Sequence, residues 1–322
     1  MATSRPFVVS PALTGIAIGY KNEAQSLIAD KVMPRIDVGG EKFKWLKYPL
    51  AEGFTVPSSE VGRKGRVQPV EFSGSEETAS VKDYGFQTPI PYTDIESAKA
   101  LRDQNLSTYD PQMHAAQMLT NLMELDREQR VAAFVQNPNS YAAARRTVLS
   151  GTSMWSDYVN SDPIPFIKNM KRSLLVYRGN TAIMGSVVWN ILSSHPKLVN
   201  AIRGNVTGSG IITQDEFAKL FDFKTVLVGE SFVNLARPGQ SLSLARTWAN
   251  HFAIHYIDPS ARAEGGVTFG LTGQFGTKFG GYIDDPDIGL KGGIQIRVGE
   301  RLLEFSPAMD VGALAQNVVP AE

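Results

Sequence analysis

Residues able to do chemistry are scattered along this chain. His251 and His255 stand four apart in "WANHFAIHYID", within a strand-like pattern. Side chains four apart on a strand share a face but lie ~13 Å from each other, too far to hold one metal ion. His-Glu-x-x-His, the helical zinc motif, does not occur. Ser231 lies in "GESFV" after a strand-like run, half resembling a nucleophile elbow. Such an elbow needs Gly two residues after the serine so that the tight turn can close, and Val233 occupies that place. "DDPDIG" at 284 concentrates carboxylates, but a calcium loop beginning at Asp284 would need a bidentate Glu where Gln295 stands. Gly270, Gly273 and Gly276 lack the spacing of a dinucleotide fingerprint, and no Gly-Lys-Ser/Thr phosphate loop is present. "RKGR" at 63 is a basic cluster without surrounding aromatic rings to stack bases. No catalytic constellation, metal site or cofactor site is expected, and the chain reads as a non-enzyme.

Composition narrows the class further. Lysines and arginines number 32, aspartates and glutamates also 32, so no global basic field attracts nucleic acid. The apolar and charged fractions, 43% and 20%, are those of a folded globular protein. Absence of cysteine removes disulfides, thiolate chemistry and most structural zinc sites. The N-terminal stretch carries one Arg and no long apolar run, so neither a signal peptide nor a membrane helix is expected, and the expected location is a cytoplasm.

The elements that would position these residues follow a distinctive order. Residues 1 to 20 are apolar but interrupted by Pro6, Pro11, Gly15 and Gly19, which suits either a disordered tail or an arm lying on another surface. "NEAQSLIADKVMP" predicts a short helix capped by Asn22 and stopped by Pro34. Residues 39 to 90 are rich in Gly and Pro, with alternation at Lys42, Phe43, Lys44 and Trp45 and again in "VQPVEF". A long β-hairpin is predicted there, and an arm of ~15 extended residues reaches about 50 Å. Residues 41 to 66 hold six cations against three anions, and residues 71 to 83 four anions against one cation. Either the charges pair across the hairpin, or they register it on a neighbouring subunit.

Asp110 and Pro111 open a helix predicted over 111–136, with an apolar stripe of Ala115, Met118, Leu119, Leu122 and Leu125. At ~1.5 Å per residue it is nearly 40 Å long. After residue 160 the texture becomes α/β. "TAIMG" and "FKTVLVG" read as strands, and Thr213 with Glu216 reads as a capping box. "LSLARTWANHFAIHYID" reads as a hairpin turning at Ala249-Asn250. The Gly-rich end contributes strand-like "VTFGLT", "GGIQIRVG" and "RLLEF".

This succession resembles the major capsid proteins of tailed bacteriophages, with the Hong Kong 97-type fold, over roughly residues 15 to 310. The stretches that carry the likeness are "NEAQSLIADKVMPRIDVGGEKFKWLKY", "IMGSVVWNILSSHPKLVNAI" and "FKTVLVGESFVN" followed by "TWANHFAIHYIDP". The resemblance implies an α+β fold with an N-terminal arm (1–38), an extended loop (39–75), a peripheral domain (76–178) around spine helix 111–136, an axial domain (179–260) and C-terminal returning strands (261–322). It implies a head protein assembling into hexamers and pentamers of an icosahedral shell around double-stranded DNA, built in the bacterial host cytoplasm. Implied partners are copies of itself, a separate scaffolding protein, a portal and a decoration protein; no membrane is involved. A nanocompartment shell of encapsulin type shares the fold and is the alternative, and an α/β hydrolase using Ser231 is a third reading.

Some family members cross-link a loop lysine to a neighbour's asparagine. Lys42, Lys44, Lys47 and Lys64 stand in the loop, but no matching asparagine or carboxylate is assignable, so cross-linking is not expected. Phe43, Trp45, Tyr48, Arg63, Lys64, Arg66, Glu76 and Glu77 are the expected subunit-interface residues, with Phe43 and Trp45 anchoring the hairpin on the adjacent subunit.

Overall fold

The computed structural model describes residues 7–20, 26–47, 56–67, 69–70, 75–174, 176–204, 210–237, 239–263 and 265–321. Two sheets flank a long helix, Pro111–Gln136. Asp110 caps that helix: its Oδ1 accepts from the amides of Gln112 (2.9 Å) and Met113 (3.3 Å), and Pro111 needs no acceptor.

The helix's two ends serve different cores. Ala115, Ala116, Leu119 and Met123 pack with Ile294, Ile296 and Val298 of the larger sheet. Val131, Ala132 and Val135 pack with Ile183, Leu227, Ala253 and Leu314 of the smaller. The predicted stripe is therefore corrected. Met118 and Leu122 are about half exposed, while Met123, Arg127 and Glu128 are buried. Two charged residues on the inward face blur the apolar period that would have placed it.

The larger sheet runs in the order Val8–Val9, Phe279–Asp285, Gly293–Phe305, Leu271–Gln274, Arg35–Asp37, with Lys82–Pro91 also pairing along Gly293–Phe305. "GGIQIRVG" and "RLLEF" form one 13-residue strand rather than two pieces. Gly299 keeps it continuous, because a Cβ there would stand 2.6 Å from the Phe279 ring.

The apolar N-terminal segment is ordered on its own chain. Val8–Val9 pairs with Gly281–Tyr282, and Ser10 precedes a helix, Pro11–Gly19, that buries Leu13 and Ala17. Thr14 Oγ1 donates to the Gly280 carbonyl (3.0 Å) and accepts from its amide (3.1 Å). That approach requires Gly280, since a Cβ would meet the Leu13 backbone at 2.8 Å. The composition-based alternative of a disordered tail is corrected for residues 7–19: the segment lies on the larger sheet, in a groove built 270 residues later in the chain. The short predicted helix narrows to Ala29–Val32, and Asn22 lies outside the described residues.

The smaller sheet runs in the order Arg146–Val148, Gly312–Gln316, Phe252–His255, Thr181–Gly185, Thr225–Gly229. Helices Pro163–Ser173, Ser186–Ser193, Pro196–Arg203 and Gln214–Phe221 supply Ile167, Leu192, Leu198, Val199 and Phe217 to its core. The capping box is present: Glu216 N–H donates to Thr213 Oγ1 (3.3 Å), and Thr213 N–H to Glu216 Oε2 (2.9 Å). The predicted hairpin around Ala249-Asn250 is not formed. Leu244–Arg246 pairs with Phe232–Asn234, whereas Phe252–His255 lies between Thr181–Gly185 and Gly312–Gln316. Burial on both faces favours the central position for "FAIH", whose four residues are all buried.

Candidate subunit interface

Lys42–Lys47 and Ser75–Ser80 form an antiparallel pair, with Lys44 opposite Thr78 and Trp45 opposite Glu77. The two-residue period puts Phe43 and Trp45 on one face. Both rings pack on Phe305, with centroids at 5.4 and 4.7 Å. Ile36, Val38 and Leu271 complete this cluster, and Gly273 leaves the room that Phe43 fills, since a Cβ there would lie 2.9 Å from the ring. Arg301 of the long strand bonds the residues that flank the hairpin, Glu41 just before its first leg (2.9 Å) and Asp83 just after its second (3.2 Å).

Within one chain Phe43 and Trp45 seat the hairpin on the larger sheet; their expected role as anchors on a neighbour stands as a proposal. Their partner, Phe305, is some 260 residues away in sequence and adjacent only once the larger sheet forms. The second leg differs from expectation: it is Ser75–Ser80, and Val67, Pro69 and Val70 of "VQPVEF" are not in a strand.

The polar face of the hairpin is solvated. Lys44 Nζ meets Glu76 Oε2 at 2.5 Å, with both side chains more than half exposed, so the pair adds little stability. Glu77 is exposed. Arg63, Lys64 and Arg66 lie in the exposed segment 56–67 and make no ion pair among the described residues. Within that segment Gly65 N–H donates to the Gly62 carbonyl (2.7 Å), closing a turn at the basic cluster. Tyr48 lies outside the described residues.

Among the described residues, the other candidate chemistry is not brought together. Ser231 is buried and its Oγ has no hydrogen-bond partner among the described residues. His251 Nδ1 accepts from the Asn317 amide (3.1 Å), and His255 Nε2 meets the Tyr141 hydroxyl (2.7 Å). Burial pushes the His255 pKa down to about 3. Asp284 and Asp285 end the strand Phe279–Asp285, and Asp284 accepts from the Tyr92 hydroxyl (2.7 Å).

A site that sequence reading missed lies at Arg127 and Glu128, both buried in the middle of the long helix. Glu128 accepts the amides of Ile28 (2.9 Å) and Ala29 (2.8 Å) and the Trp248 indole N–H (2.6 Å). Burial pushes its carboxyl pKa up, against those three donors and Arg127. Arg127 turns the other way, donating to the Met33 carbonyl (3.1 Å) and Thr272 Oγ1 (3.1 Å) and pairing with Asp30. Adjacent opposite charges inside a predicted helix were the available signal, but such a pair usually marks a solvated face.

The hairpin is thus mounted on the larger of two sheets that flank a long helix, an architecture of a tile-like protein. The chain is 43% identical over 319 residues to the major capsid protein of Pseudomonas phage JBD67, spanning 99% of this chain and 100% of that protein. It is 30% identical over 230 residues to the major capsid protein of Burkholderia phage BcepMu, spanning 70% of this chain and 69% of that one. No protein-family model matches. Among solved structures, a phage-related protein from Bordetella bronchiseptica RB50 superposes with a TM-score of 0.73 at 21% identity, covering 98% of this chain and 99% of that one. A putative capsid protein of an E. coli CFT073 prophage superposes with a TM-score of 0.58 at 10% identity, covering 97% and 99%. The fold is that of Hong Kong 97-type capsids.

This chain belongs to the major capsid proteins of bacteriophages. It is a structural protein of the virion that assembles into a capsid shell. The phage-head reading is better supported than the nanocompartment alternative.

Proposed function

We propose that copies of this chain form the hexamers and pentamers of an icosahedral phage head that encloses double-stranded DNA. In this reading residues 1–38 are the arm, 39–75 the extended loop, 76–178 the peripheral domain, 179–260 the axial domain and 261–322 the returning strands. The observation that carries it is the contrast within the hairpin. Its base is held by Phe43, Trp45 and Arg301, while the segment 56–67 is exposed, Arg63, Lys64 and Arg66 included. A firm base and an open basic tip suit a loop that reaches onto the next copy.

Such head-to-tail contacts repeat around a ring. Charge registers each loop on its neighbour, and the exposed apolar Met118, Leu122 and Tyr109 offer surface for other contacts between copies. Assembly takes place in the bacterial host cytoplasm, with a separate scaffolding protein and a portal as partners and a decoration protein as an outer one. Packaged DNA is contacted through its backbone, without sequence reading.

The test is charge reversal at the tip. Arg63→Glu with Lys64→Glu and Arg66→Glu is expected to leave the melting temperature of the free subunit unchanged while particle yield in negative-stain images collapses. Normal yield of intact particles would overturn the role given to the tip.

A further inference from the structure

Between the two sheets the long helix carries polar attachments on opposite sides. Toward the larger sheet, Arg127 holds Thr272 of Leu271–Gln274 and the Met33 carbonyl. Toward the smaller sheet, Glu128 holds Trp248 and Gln136 holds the residues on either side of it. Gln136 Nε2 donates to the Thr247 carbonyl (3.0 Å), and its Oε1 accepts from the Ala249 amide (3.1 Å). Glu128 and Gln136 are eight residues apart, so the loop is fastened at two points ~12 Å apart along the helix axis. Two separated attachments block rotation in a way that one cannot.

The loop is equally fixed on the other side. Trp248 sits where Thr181–Gly185 and Thr225–Gly229 end. A Cβ at Gly229 would lie 2.2 Å from the Trp248 ring, and one at Gly185 would lie 2.5 Å from the Trp248 carbonyl oxygen. Both strands thus end in glycines that admit this residue. The smaller sheet cannot tilt against the helix without moving Trp248 away from Glu128, which would leave a buried carboxylate and an indole N–H short of partners.

Apolar contacts between the lobes are non-directional and tolerate sliding. Hydrogen bonds have preferred distances and angles, both at the buried Glu128–Trp248 pair and at the more exposed Gln136–loop bonds. We infer that the Glu128–Trp248 and Gln136–loop bonds form a joint that fixes the angle between the two sheets, and that this angle sets the curvature of the shell. The inference rests on the shell-forming role. Identical tiles repeat any angular error around each ring, so loosening the joint broadens particle size before it unfolds the subunit.

The test compares full-length wild type with Gln136→Ala and Glu128→Gln, recovering particles from cells expressing each chain and measuring diameters by electron microscopy. Circular dichroism and a thermal melt report folding. Gln136→Ala is expected to fold like wild type and to give open or off-size shells several-fold more often, with a larger spread for Glu128→Gln. A single wild-type diameter for folded Gln136→Ala would overturn the joint, whatever the fate of Glu128→Gln. Wild-type chain that formed no shells would sink the shell reading instead.

Discussion

The hairpin and the mid-helix joint treat charge in opposite ways. At the joint, Arg127 and Glu128 are withdrawn from water, and Glu128 meets three N–H donors from two separate segments of the chain. On the hairpin, Lys44 and Glu76 pair in the open and Arg63, Lys64 and Arg66 face solvent. A buried carboxylate is expensive to desolvate and is tolerated where fixed donors compensate it. Exposed charges cost little and hold little within one molecule. The difference separates a part that must keep its shape from a part kept available for other copies.

Three experiments press on that contrast. The largest loss of stability is expected from Glu128→Ala, which strands three buried donors. Breaking a buried charged network by removing one member costs about 3–5 kcal/mol, read by urea denaturation of the free subunit. A loss under about 1 kcal/mol would erase the distinction between joint and hairpin.

Phe43→Ala comes next. Phe43 is buried against Phe305 and Val38, and truncating a core Phe typically costs about 3–5 kcal/mol; the lower end is expected for a ring at the edge of the fold. Paired with the tip reversal, it splits the hairpin into a base that matters to the monomer and a tip that matters to the shell. Equal melting temperatures for Phe43→Ala and wild type would remove the split.

The third probe is acid, read one pH unit at a time. His255 is fully buried against Tyr141 and Phe269, and burial lowers its pKa from 6.5 to about 3. Below pH 6.5 the unfolded chain takes up a proton that the folded chain refuses. Its stabilising contribution is therefore complete above pH 6.5 and is lost as pH falls toward about 3, by up to about 1.4 kcal/mol per pH unit. His255→Gln should flatten that part of the stability-against-pH curve without changing the effect of tip reversal on particles. An unchanged slope in the variant would assign the acid sensitivity to other groups.

Local chemistry legible in the sequence determined a good deal. Asp110-Pro111 starts the long helix, Thr213 with Glu216 caps Gln214–Phe221, and alternation at 42–45 is a strand with its aromatic residues inward. These depend on groups within a few residues of each other, so spacing alone carries the information. The ordering of parts further supported the family resemblance.

Tertiary structure alone decided what those elements touch. Phe43 and Trp45 find Phe305 in their own chain, Pro11–Gly19 finds a groove opened by Gly280, and Trp248 leaves a predicted hairpin turn to reach Glu128. Each pairing joins residues more than a hundred positions apart. The physical reason is that periodicity tells which face of a strand or helix avoids water, whereas the identity of the surface covering it depends on packing among segments that no local pattern encodes.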